Sequence, residues 1–87
     1  MRTSEALGVA FYEKGQFAIA EAILRRAVES LGASDDTQIG LIYWLARAQE
    51  AQGKVGAAIP TYERVLAVDI GFQDTRARMA KLAGGRA

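Results

Sequence analysis

An all-α fold, an α-solenoid of antiparallel helix pairs, follows from three observations on this 87-residue chain. Gly15, Gly32, Gly53 and Gly71 separate stretches of helix-forming residues, as expected where glycine takes the left-handed position just past a helix end. Within the stretches apolar residues recur at helical spacing, and strand-like alternation is absent. A helix–turn–helix segment is used twice, 38 residues apart. The breaks predict helices at about 3–14, 17–31, 36–52, 55–69 and 73–83.

The first helix ends before Gly15 in "EKGQF". In the second, Phe17, Ala20, Ile23 or Leu24, Ala27, Val28 and Leu31 form the apolar stripe, with Glu21, Arg25, Arg26 and Glu29 set between them. The third follows "SDDTQ", where Ser34 or Asp35 is placed to cap and the acids sit at the positive helix end. The fourth carries Pro60; with a start near Val55 to Ala57 the proline falls by the second turn, where its cost is a local bend. The fifth, "QDTRARMAKLA", is expected to cap the stack, with Arg76, Arg78 and Lys81 on its outer face.

The repeat aligns Leu7 with Leu45, Gly8 with Ala46, Ala10 with Ala48, Gly15 with Gly53, Ala20 with Ala58, Ala27 with Val65 and Val28 with Leu66. Small residues at Gly8, Ala20, Ala46 and Ala58 allow helices to approach closely while Leu and aromatic neighbours fill the grooves. The pattern resembles the tetratricopeptide repeat, W-x2-L-G-x2-Y, then A-x3-F, then P, over about 34 residues. Leu7, Gly8, Phe11, Ala20 and Leu24 match in the first unit, and Leu45, Ala46, Ala58 and Tyr62 in the second. Ser4 and Ile42 stand in for the signature Trp, Gln49 for the Tyr, and Gly32 and Ile70 for the Pro; Trp44 lies two residues beyond the Trp position. The resemblance implies one domain over residues 1–87, with units at about 2–34 and 38–71 and a capping helix at about 73–83.

Without cysteine or histidine the chain has no disulfide, thiolate zinc site, imidazole base or Cys/His dyad. Asp35-Asp36 is the one adjacent acidic pair and reads as a helix cap. These absences point away from an enzyme, a metal or a cofactor. The net charge of +1 is too small to draw the whole molecule to nucleic acid or an anionic membrane. The tail from Phe72 sets Arg76, Arg78, Lys81 and Arg86 against Asp74 alone, but lacks the interleaved aromatics of a single-strand binder. No window reaches the roughly 20 apolar residues of a membrane span, and no secretory leader is evident, so a cytoplasmic location is expected.

The resemblance further implies that the first helix of each unit lines a concave surface that binds a protein or peptide partner without catalysis. The alternative is self-association or docking of an uncovered end of the stack, as a homo-oligomer or part of a longer array. With Leu45 at zero and about 100° per residue, Leu41, Ile42, Ala48 and Gln52 fall on the packed face of the third helix, while Trp44, Ile39 and Ala46 lie on its flanks. Gly40, Tyr43, Arg47 and Glu50 fall on the opposite side, the candidate groove. Arg2, Glu5, Val9 and Tyr12 correspond to them in the first helix, and Asp74, Ala77 and Lys81 in the last. Partner contacts are therefore expected from Tyr43, Arg47, Glu50, Tyr12, Val9, Glu5 and Lys81. One subtype of the family holds chaperone C-terminal carboxylates in a Lys/Asn/Arg clamp. Here Glu5 and Val9 occupy clamp positions and Tyr43 and Trp44 lie in the second unit, so that activity is not expected.

Overall fold

A computed structural model of the chain describes residues 4–31 and 38–84. Five helices run in order, α1 Ser4–Glu13, α2 Phe17–Leu31, α3 Ile39–Ala51, α4 Val55–Val68 and α5 Thr75–Gly84, with no strand among the described residues. Each helix packs on the next, and α1 also touches α3, the arrangement of a solenoid built from antiparallel pairs. The expected bounds hold to within one or two residues, except that α3 opens at Ile39 with Gln38 as its cap residue. The caps assigned to Ser34 and Asp35, and the pair Asp35-Asp36, lie outside the described residues, as does Arg2.

The repeat is visible in the two turns. Gly15 has φ +81° and Gly53 φ +78°, where a side chain would be strained. The Gly15 N–H donates to the Tyr12 carbonyl at 3.0 Å and Gln16 to Phe11 at 3.0 Å; 38 residues on, Gly53 donates to Glu50 at 2.9 Å and Lys54 to Gln49 at 3.0 Å. Both sets close the orphan carbonyls of a helix end in the same way. Gly71 is different: its N–H caps on the Asp69 carboxylate at 3.0 Å, and the left-handed residue before α5 is Gln73, at φ +50°. Pro60 is the sixth residue of α4. It and Gly56, whose carbonyl cannot accept the i+4 bond from a proline, are both exposed, so the missing bond does not leave a buried polar group.

Small residues set the crossings. A Cβ on Gly8 would lie 2.6 Å from Leu24, and Ala20, Ala46 and Ala58 are fully buried. Leu24, Ala27, Leu41 and Leu45 form the core between the pairs. Ile42, Tyr43, Ala46, Ala58, Tyr62 and Val65 form a second core on which Phe72, Met79 and Leu82 pack. Each fully buried large apolar side chain contributes roughly 1.5–3 kcal/mol. Glu21, expected among the residues between the stripe, is instead buried. It accepts from Gln52 at 2.7 Å, Lys54 at 3.0 Å and Arg25, joining α2 to the end of α3. Burial alone would raise its carboxyl, but the Gln52 and Lys54 bonds and the Arg25 and Lys54 charges outweigh that and hold it low.

Candidate functional site

The face shared by α1, α3 and α5 carries a connected set of polar and aromatic side chains. Tyr12 sits in the last turn of α1, one turn before the Gly15 turn. Tyr43 and Arg47 are one turn apart on α3, and Asp74 and Arg78 span the start of α5. Arg47 donates through Nη1 to the Tyr43 hydroxyl and through Nη2 to the Tyr12 hydroxyl, each at 3.1 Å. The Tyr43 hydroxyl donates to Asp74. Arg78 donates to Asp74 at 2.8 Å and to Glu50 at 3.2 Å, and Glu50 also accepts from Tyr62 at 2.6 Å. The chain of bonds thus runs from α1 across α3 to α5 and back to α4.

Aromatic rings accompany it. Phe17, Tyr12, Trp44, Tyr43 and Phe72 meet edge to face in succession, with centroids 5.0–5.5 Å apart. The Arg47 guanidinium lies 4.8 Å from the Trp44 ring, 5.0 Å from Tyr12 and 5.7 Å from Tyr43, a cation held by ring quadrupoles.

Burial and the Asp74 bond push the Tyr43 hydroxyl above its ordinary value. Burial, then the Glu50 bond and charge, push Tyr62 well up. Burial would raise Asp74, but the Tyr43 bond and the Arg78 charge hold it below the ordinary aspartate value. Near neutral pH Asp74 is therefore charged and the Tyr43 and Tyr62 hydroxyls are neutral.

The structure joins Tyr12, Tyr43 and Arg47 directly, and Glu50 through Arg78 and Asp74. Two expectations are corrected. Tyr43 is not on an open side: it is 2% exposed, because α5 and Phe72 cover the face that a single-helix projection leaves empty. Arg78 is half-buried against Glu50 rather than solvated on an outer face. Tyr12, Arg47, Glu50 and Val9 are half-buried, and Glu5 and Lys81 are exposed. Glu5 lies over Gly40, where a Cβ would meet its carboxylate at 2.6 Å. Projection puts Asp74 on this face without a role and Arg78 on the outer one; the i,i+4 acid–base spacing "DTRAR" is the signal that pairs them. Among the described residues no group of three acidic, His or Cys side chains could hold a metal, and no helix is long and apolar enough to cross a membrane.

A family model described as Tetratricopeptide repeat matches residues 41–68, which covers most of α3 and all of α4. Comparisons with curated proteins and with solved structures found no match.

Proposed function

From the premise that the chain carries a tetratricopeptide repeat at residues 41–68, we propose that it is a non-catalytic module that binds a peptide segment of another protein on the face of α1, α3 and α5. It acts as one domain over residues 1–87, with units at about 2–34 and 38–71 and α5 as the cap. The observation that carries this reading is the placement of Tyr12 and Arg47, half-buried and side by side on the first helices of successive units. Arg and aromatic side chains of this kind anchor interfaces, because they bring large contact area and directed bonds. Val9, Glu5, Glu50 and Lys81 form the surroundings, and Tyr43 supports Arg47 from below. Peptides selected from a linear library on the intact chain should move the amide resonances of Val9, Tyr12, Arg47 and Glu50 first. Binders that move only residues of α2 or α4 would sink the assignment.

A second reading, association through the uncovered end of the stack, is favoured by a contrast between equivalent residues. Leu45 is 5% exposed, whereas its counterpart Leu7 is 38% exposed. Leu45 is covered by α2 through Leu24 and Ala27. Nearby, Ile19 is 45% exposed beside a shallow hollow of about 570 Å³ lined by Ala18, Ala22, Ile23 and Arg26. Sedimentation over a dilution series tests it. A species heavier than the monomer that Ile19→Glu dissociates supports this reading, and a monomer at all concentrations removes it.

A further inference from the structure

We propose that Arg47 and Tyr12 form a receiving site for one internal Asp or Glu side chain of the bound segment. This deepens the reading of the face as a peptide groove and rests on it.

Arg47 is a cation whose charge no carboxylate meets directly among the described residues. Its two hydrogen bonds go to neutral phenols. The nearest acid in the chain of bonds, Asp74, is already taken by Tyr43 and Arg78. Each Nη therefore keeps one N–H for which the described residues supply no acceptor, and Nε is buried without a partner. The Tyr12 hydroxyl accepts from Arg47, and no acceptor among the described residues takes its own proton. Two adjacent groups thus hold donors without acceptors among the described residues, and a ligand that satisfies them must be an acceptor.

The donors decide the direction of approach. Trp44, Tyr12 and Tyr43 surround the guanidinium at 4.8–5.7 Å, and its N–H groups lie in its plane, so a hydrogen-bonded ligand meets its edge. An edge-on guanidinium fits a planar carboxylate, with one oxygen on Nη and the other on the phenol. One positive charge and one hydroxyl match the single charge of a carboxylate better than the double charge of a phosphate. The site lies between α1 and α3, with α5 continuing the same face, so a segment crossing it extends to both sides. That geometry suits a side chain within a segment rather than a chain terminus.

The test uses groove-binding peptides from the library selection, each made with an acetylated N-terminus and in two forms, C-terminally amidated and C-terminally free, and titrated against the intact chain. The emission of Trp44, the single tryptophan, reports binding. The selected peptides should share an internal Asp or Glu, and changing it to Asn or Gln should weaken binding roughly tenfold or more. In Arg47→Gln that penalty should fall below about twofold, and in Tyr12→Phe, which keeps the ring and the fold, it should shrink in part. An acid-to-amide penalty unchanged in both variants overturns the proposal, as does binding that needs a free C-terminal carboxylate. Either result leaves peptide binding to the face intact. Failure of every selected peptide to perturb Trp44, Tyr12 or Arg47 overturns the groove reading and this inference with it. If Arg47→Gln does not fold, the Tyr12→Phe comparison decides.

Discussion

The Tyr43 hydroxyl on α3 donates to the carboxylate of Asp74, 31 residues later, at the start of α5. This bond, with the ring contacts to Phe72 and Tyr62, makes a residue of the apparent groove part of the core. Tyr43→Ala should therefore cost about 3–5 kcal/mol, as a large aromatic truncation in a packed site does. Tyr43→Phe should cost about 1 kcal/mol, because the ring stays and Asp74 keeps Arg78. Urea unfolding followed by circular dichroism measures both. Equal stability of Tyr43→Ala and the wild type would show that α5 does not close over this face.

Two glycines in close helix contacts should respond in opposite ways to the same change. At Gly8 the new methyl meets Leu24, fully buried and unable to move away. Gly8→Ala should destabilise by about 1–3 kcal/mol through overpacking, and adding Leu24→Val should recover part of the loss. At Gly40 the methyl meets the carboxylate end of Glu5, a flexible exposed side chain that can swing aside. Gly40→Ala should be neutral or stabilising by up to about 1 kcal/mol from helix propensity. Thermal melts of the two single variants separate the cases.

What could be read in advance depended on how many neighbours each residue has. The turns at Gly15 and Gly53 and the small residues Gly8, Ala20 and Ala58 are local requirements of one helix pair, and their types and spacing announce them. Tyr43, Arg78 and Glu21 answer to a third helix. Projection around α3 assumes one dry side, but α1, α2, α4 and α5 all approach it, and the direction left over is where α5 lands. Glu21 has the same origin: its partners Gln49, Gln52 and Lys54 come from the following pair, which periodicity within α2 cannot reveal. Leu7 errs the other way, matching the signature yet lying open because no helix covers it among the described residues.

Stability should fall in acid, chiefly through Glu21. Its carboxyl is held below the ordinary value of 4.5 and its side chain is 5% exposed. A carboxyl whose folded value is lowered stabilises fully above its unfolded value and loses that contribution as pH falls through the folded one. Asp74, held below 3.8 but half-exposed, adds a smaller part. Urea midpoints should be level from neutrality to about pH 5 and decline below about pH 4. Glu21→Gln should be less stable at neutral pH with a flatter acid decline. An unchanged decline in that variant would assign the effect elsewhere.

The capping helix should be the first element to open. Thr75 is the single buried residue of α5, and Met79 and Leu82 only partly enter the core. Its attachment therefore leans on side-chain bonds: Arg78 to Glu50 at 3.2 Å, and Asp74 to Tyr43. Elements with little buried apolar surface exchange their amides through local openings that cost less than global unfolding. Amides of α5 in the wild type should exchange faster than those of α3 and α4. Arg78→Ala leaves the half-buried Glu50 with the Tyr62 hydroxyl as its one bonded partner among the described residues and removes the cation beside Asp74, a loss of roughly 1–3 kcal/mol in α5 docking. Exchange across α5 should then rise by about ten- to a hundredfold, while α1 and α2 keep their wild-type protection. Equal acceleration in all five helices would mean that α5 and the two pairs unfold as one unit, and that the Arg78 bonds hold the whole stack rather than its cap.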